Sequence, residues 1–92
     1  MYGIRTKSNN LGDQFEDLIQ SLPQLDKRQL MTTLSKYPKS NPMSSRTEQI
    51  GRVEKKGKFW QYYLSNGWRI IYDVMDRPKL VIINFIGNHE EA

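Results

Sequence analysis

The chain of 92 residues has no cysteine and one histidine. The first absence excludes a disulfide scaffold and every thiolate zinc site, and the second excludes a histidine-rich metal site. Long apolar runs are also missing. The longest, Ile70–Tyr72 and Leu80–Ile83, fall far short of the roughly 20 residues a membrane-spanning helix needs. Met1-Tyr2-Gly3-Ile4-Arg5 carries no apolar leader segment, so the expected location is the cytoplasm. The length points to a single domain over 1–92 with a modest core, marginally stable on its own. Ten aromatic residues (Phe 3, Trp 2, Tyr 5) suffice to build that core, so disorder is not expected despite a hydrophobic fraction of 37%.

Positive charge is present and unevenly placed. Residues 46–69 hold Arg46, Arg52, Lys55, Lys56, Lys58 and Arg69 against Glu48 and Glu54, a surplus equal to the net charge of +4. The first 26 residues are acidic, with Asp13, Glu16, Asp17 and Asp26 against Arg5 and Lys7. A basic stretch inside a folded region suits a polyanion or an acidic partner; a solvated face that aids solubility would look the same.

The periodicity divides the chain into two halves. Leu11, Phe15, Leu18, Ile19 and Leu22 form a helical stripe, with Asn9 or Asn10 as cap and Pro23 as stop. Asp26 can cap a second helix in which Leu30, Met31 and Leu34 share a face, closed by Pro38. Tyr2–Thr6 offers a short strand before the helices. Lys39–Ser45 reads as a loop. Ile50–Glu54, Phe59–Leu64, Trp68–Val74 and Leu80–Ile86 then read as strands, with turns at Lys55–Lys58, Ser65-Asn66-Gly67 and Met75–Pro78. The expectation is an α+β fold: an N-terminal helical hairpin packed on an antiparallel β-meander. Ile70, Tyr72 and Val74 share one strand face, so Arg69 is expected on the opposite, solvated one.

Two segments carry a family resemblance. Lys58-Phe59-Trp60-Gln61-Tyr62-Tyr63-Leu64 followed by Gly67-Trp68-Arg69-Ile70-Ile71-Tyr72-Asp73-Val74 resembles the core of the RelE/ParE toxin superfamily. Leu80–Gly87 followed by Asn88-His89 resembles the family's last strand and terminal histidine. The resemblance covers residues 50–90 and implies a bacterial toxin neutralised by a cognate antitoxin. One branch cleaves mRNA in the ribosomal A site; the other poisons DNA gyrase by protein contact and lacks the nuclease residues. Arg69, His89 and the Lys55–Lys58 turn stand where the nuclease branch has its residues. A decayed toxin that only binds a partner is a third reading.

Metal-free RNA cleavage needs a base for the 2′-OH, a cation at the phosphorus centre and an acid for the leaving 5′-oxygen. Arg69 is the candidate cation, since its fork can hold a phosphate bidentately; an ordinary strand arginine paired with Asp73 is the plain alternative. The resemblance gives His89 the role of acid. Lys56 and Glu54 complete the candidate catalytic set, Glu54 (or Glu48) as base. Arg52, Lys55 and Lys58 are candidate phosphate contacts. Tyr62 and Tyr63 face opposite ways, so one is core and the other is free to stack on a base; Trp60 follows Tyr62, and Phe59 follows Tyr63. Trp68 and Tyr72 read as core. Family members usually place an aromatic residue after the histidine; here Glu90 and Glu91 follow, which would repel RNA or keep His89 protonated. No cofactor and no small-molecule ligand is expected.

Overall fold

A computed structural model describes residues 1–40, 51–64 and 67–88. The order of elements is β1 (Gly3–Thr6), α1 (Asn9–Ser21), α2 (Gln24–Lys36), β2 (Val53–Lys56), β3 (Phe59–Tyr63), β4 (Trp68–Asp76) and β5 (Lys79–Asn88). Glu48, His89, Glu90 and Glu91 lie outside the described residues.

The cap of α1 is Ser8, whose Oγ accepts from the Leu11 amide at 3.2 Å, rather than Asn9 or Asn10, which form its first residues. Pro23 ends α1 as expected, because it cannot continue a helical hydrogen-bond ladder. It also serves as the extended residue from which α2 starts, with Asp26 inside the first turn rather than capping it. An anionic side chain there suits the positive end of the helix.

The five strands form one sheet in the order β1-β5-β4-β3-β2. β2 to β5 are consecutive antiparallel neighbours, whereas β1 runs parallel to β5, with Ile4 opposite Val81. The sheet is therefore mixed, not the wholly antiparallel one expected. The reason is topological: the two helices carry the chain from one sheet edge to the other, and the hairpins return it to β1. α1 lies chiefly against β1 and β5, and α2 approaches β1.

The core joins Leu30 and Leu34 of α2 to Val53, Tyr62, Ile70, Tyr72, Val81, Ile83 and Ile86 of the sheet. The α1 stripe Leu11, Phe15, Leu18, Ile19 and Leu22 packs partly buried against the same cluster. β5 looked apolar on both faces in sequence. The register explains part of this: Ile83 opposes Tyr72 and Phe85 opposes Ile71, so Asn84 is an extra residue. Such a bulge reverses side-chain parity. Val81 and Ile83 before it, and Ile86 after it, consequently all reach the core.

Candidate functional site on the sheet face opposite the core

The β2–β3 and β3–β4 registers settle which residues share a face. Tyr62 opposes Val53 and Ile70, all core residues, and is 2% exposed. Tyr62 is thus a core residue and offers no surface for a base; of the adjacent pair only Tyr63 faces the other way. Lys55 opposes Trp60 and sits over its ring at 4.6 Å, on the core side of the sheet.

The opposite face gathers Glu54 from β2, Gln61 and Tyr63 from β3, and Arg69 from β4. Glu54 is directly opposite Gln61, and Tyr63 directly opposite Arg69. The side-chain bonds run along the diagonals instead. Tyr63 donates its phenol to Glu54 Oε2 at 3.1 Å, and Arg69 donates from Nη1 to Gln61 Oε1 at 2.9 Å. Diagonal neighbours in an antiparallel pair are within reach of long side chains. One strand, β3, therefore holds a carboxylate on one side and a guanidinium on the other. On β5 the register partner of Arg69 is Gly87, which places no side chain beside the guanidinium.

Arg69 is on the expected face, but it is not solvated. It is 4% exposed, and Gln61 is 2% exposed. Arg69 bonds to Gln61, and Asp73 Oδ1 accepts from the Val74 amide at 2.9 Å. Gln61 is the residue that sequence reasoning passed over. Its position in an aromatic run signalled only a strand, and nothing in that run marks a buried amide acceptor.

The Tyr63 phenol is pushed above its ordinary value. Burial contributes most, followed by its bond to Glu54 and the Glu54 charge; the Gln61 amide and the Arg69 charge act in the opposite direction. Tyr63 is therefore a protonated donor near neutrality, not a base. Arg52 approaches the same Glu54 Oε2 at 3.8 Å, with both side chains nearly half exposed. An ion pair of that kind contributes little to stability, but it places a second cation beside the carboxylate.

Lys56, the last residue of β2, and Lys58, in the turn after it, are set apart from this cluster. Lys56 shares the face of Glu54 and opposes Phe59, and Lys58 lies over the Phe59 ring at 5.2 Å. Four residues of strand separate Phe59 from Tyr63, roughly 13 Å at the usual strand rise. The site thus brings together Glu54, Arg52, Tyr63 and Arg69, with Lys56 and Lys58 at one end of the same face. Among the described residues no cluster of His, Cys, Asp and Glu could hold a metal ion, and no helix is long and apolar enough to cross a membrane. No family model matches the chain, and no curated protein matches it.

Proposed function

We propose that this chain is a RelE/ParE-like toxin of a type II toxin–antitoxin pair, a ribosome-dependent endoribonuclease that cuts mRNA without a metal. The observation that carries the reading is the placement of Glu54, Tyr63 and Arg69 on the sheet face opposite the core, with Tyr63 bonded to Glu54 and Arg69 bonded to Gln61. In the reaction Glu54 takes the 2′-OH proton and the 2′-oxygen attacks phosphorus. Arg69 offsets the charge gathered on the phosphoryl oxygens. The bond to the 5′-oxygen breaks, that oxygen receives a proton from His89, and a 2′,3′-cyclic phosphate and a 5′-OH remain. Arg52, Lys56 and Lys58 bind flanking phosphates, and Tyr63 supplies the aromatic surface first assigned to the Tyr62/Tyr63 pair. The cognate antitoxin carries an acidic binding segment that covers this face.

One observation favours a second reading. A guanidinium in a residue 4% exposed meets a phosphate only after its surroundings move. A structural Arg69 fits the gyrase-binding branch, or a domain that has kept only partner binding. Induction in cells lacking any antitoxin separates these. Growth arrest with mRNA cut inside codons and 2′,3′-cyclic ends supports the nuclease. A DNA-damage response with intact mRNA supports the gyrase branch, and harmless expression supports the binding module. Arg69→Ala is expected to abolish arrest while the circular dichroism spectrum is retained. A folded, fully toxic Arg69→Ala protein would overturn the nuclease reading.

A further inference from the structure

We infer that Gln61 is a positioning residue: its side-chain oxygen sets the direction in which Arg69 presents its guanidinium to an RNA phosphate. The inference rests on the nuclease reading and deepens it. Two observations support it. Gln61 Oε1 accepts from Arg69 Nη1 at 2.9 Å, and both residues are nearly fully buried, so the bond is shielded from competing water. Gln61 lies directly opposite Glu54 in the sheet and two residues along β3 from Tyr63, the register partner of Arg69. Two separate bonds, Arg69 to Gln61 and Tyr63 to Glu54, therefore lie side by side on this face.

The chemistry explains why the amide matters. A carboxylate at this position would form an ion pair with Arg69 and cancel the charge that a phosphate needs. An apolar side chain would leave the fork without this acceptor. A glutamine fixes the fork and keeps its full charge. Sharing β3 with Tyr63, it lies between the cation on β4 and the carboxylate on β2.

The test compares Gln61→Met and Gln61→Glu with the unmodified chain on ribosome-bound mRNA, with the active fraction fixed by titrating folded protein. Gln61→Met is expected to lower kcat by about 10²-fold with KM little changed, because a displaced catalytic group costs on that order. Gln61→Glu is expected to raise KM and to reduce the salt slope of binding by about one phosphate contact. That binding is measured on single-stranded RNA carrying a 2′-deoxy residue at the cut site, which binds and is not cleaved. A purely structural Gln61 would lower the melting temperature and leave kcat, KM and salt slope per folded molecule unchanged; that result overturns the inference. If the unmodified chain cuts no RNA, the nuclease reading fails by itself. The inference is then decided on the uncleavable RNA: an unaltered affinity and salt slope in Gln61→Glu overturns it, and a reduced slope upholds the presentation of Arg69 to phosphate.

Discussion

Tyr72, in the middle of β4, donates its phenol to the carbonyl of Pro38 at 2.8 Å, and the bond is buried. It ties the sheet to the chain just beyond α2. Burial holds the Tyr72 phenol far above its ordinary value, so it acts as a donor at any working pH. Tyr72→Phe keeps the ring and removes the donor, leaving the Pro38 carbonyl without that bond. A buried acceptor left unsatisfied costs about 1–3 kcal/mol. Urea unfolding should therefore show a lower midpoint at unchanged slope. A midpoint equal to that of the unmodified chain would mean that the bond contributes nothing.

Gly51 and Gly57 both have positive φ, at 85° and 62°, but their surroundings differ. A Cβ at Gly57 meets nothing within 4 Å, whereas one at Gly51 would collide with the buried Gln29 amide on α2. Gly57→Ala should cost about 1–2 kcal/mol, the left-handed backbone penalty alone. Gly51→Ala should cost about a further 1–3 kcal/mol for overpacking. Shortening the neighbour tests the cause. In a Gln29→Ala background the extra cost of Gly51→Ala should largely vanish, as a double-mutant cycle measures. An extra cost that persists there would assign it to the backbone and not to Gln29.

Period and punctuation were enough to place the helices and all five strands, although β2 runs through Lys55 and Lys56, which were expected in the turn. The α1 stripe, the Pro23 break and the alternation through Ile70, Tyr72 and Val74 are all local signals: Ile70 and Tyr72 are in the core and the α1 stripe and Val74 pack partly buried against it, whereas Trp68, expected in the core, is 39% exposed. The face of Arg69 followed from the same alternation. Its burial did not, because exposure depends on what neighbouring strands place beside a residue. The diagonal bonds from Tyr63 to Glu54 and from Arg69 to Gln61 depend on register, which no single strand encodes. The choice between Tyr62 and Tyr63 was open for a related reason: two adjacent aromatics satisfy either parity until the opposing Val53 and Ile70 fix it. The parallel pairing of β1 was beyond reach because it joins the two ends of the sequence.

Asp76 gives a pH dependence with a definite sign. It accepts from Lys39 Nζ and from the Tyr2 phenol, each at 2.8 Å. The Lys39 bond first, then the Tyr2 bond, hold its carboxyl below the ordinary value. A carboxyl lowered in the folded state adds stability above its unfolded value, near pH 3.9. That stability is lost as pH falls through the lower folded value. Lys39 is held above its ordinary value by the same bond, so its contribution disappears only as pH rises past roughly 10.4. The stability difference between the unmodified chain and Asp76→Asn should be flat near neutrality and close below about pH 4. It should also shrink in high salt, since the pair is exposed. A difference that grows on acidification would reverse the assignment.

The roles given to Glu54 and Tyr63 predict an order of severity. If Glu54 is the base, Glu54→Gln removes proton abstraction while keeping shape, and cleavage should fall by about 10²–10⁴-fold. Tyr63 donates to that carboxylate and has a raised phenol, so it orients Glu54 and moves no proton itself. Tyr63→Phe removes one charge-assisted bond, worth about 1.5–3 kcal/mol, or roughly tenfold to a hundredfold in rate. The double variant should then be no slower than Glu54→Gln alone, because the phenol has nothing left to orient. Single-turnover cleavage of ribosome-bound mRNA gives all four rates. Tyr63→Phe falling as far as Glu54→Gln, with the double falling further still, would make the phenol an independent participant and remove Glu54 from the role of sole base.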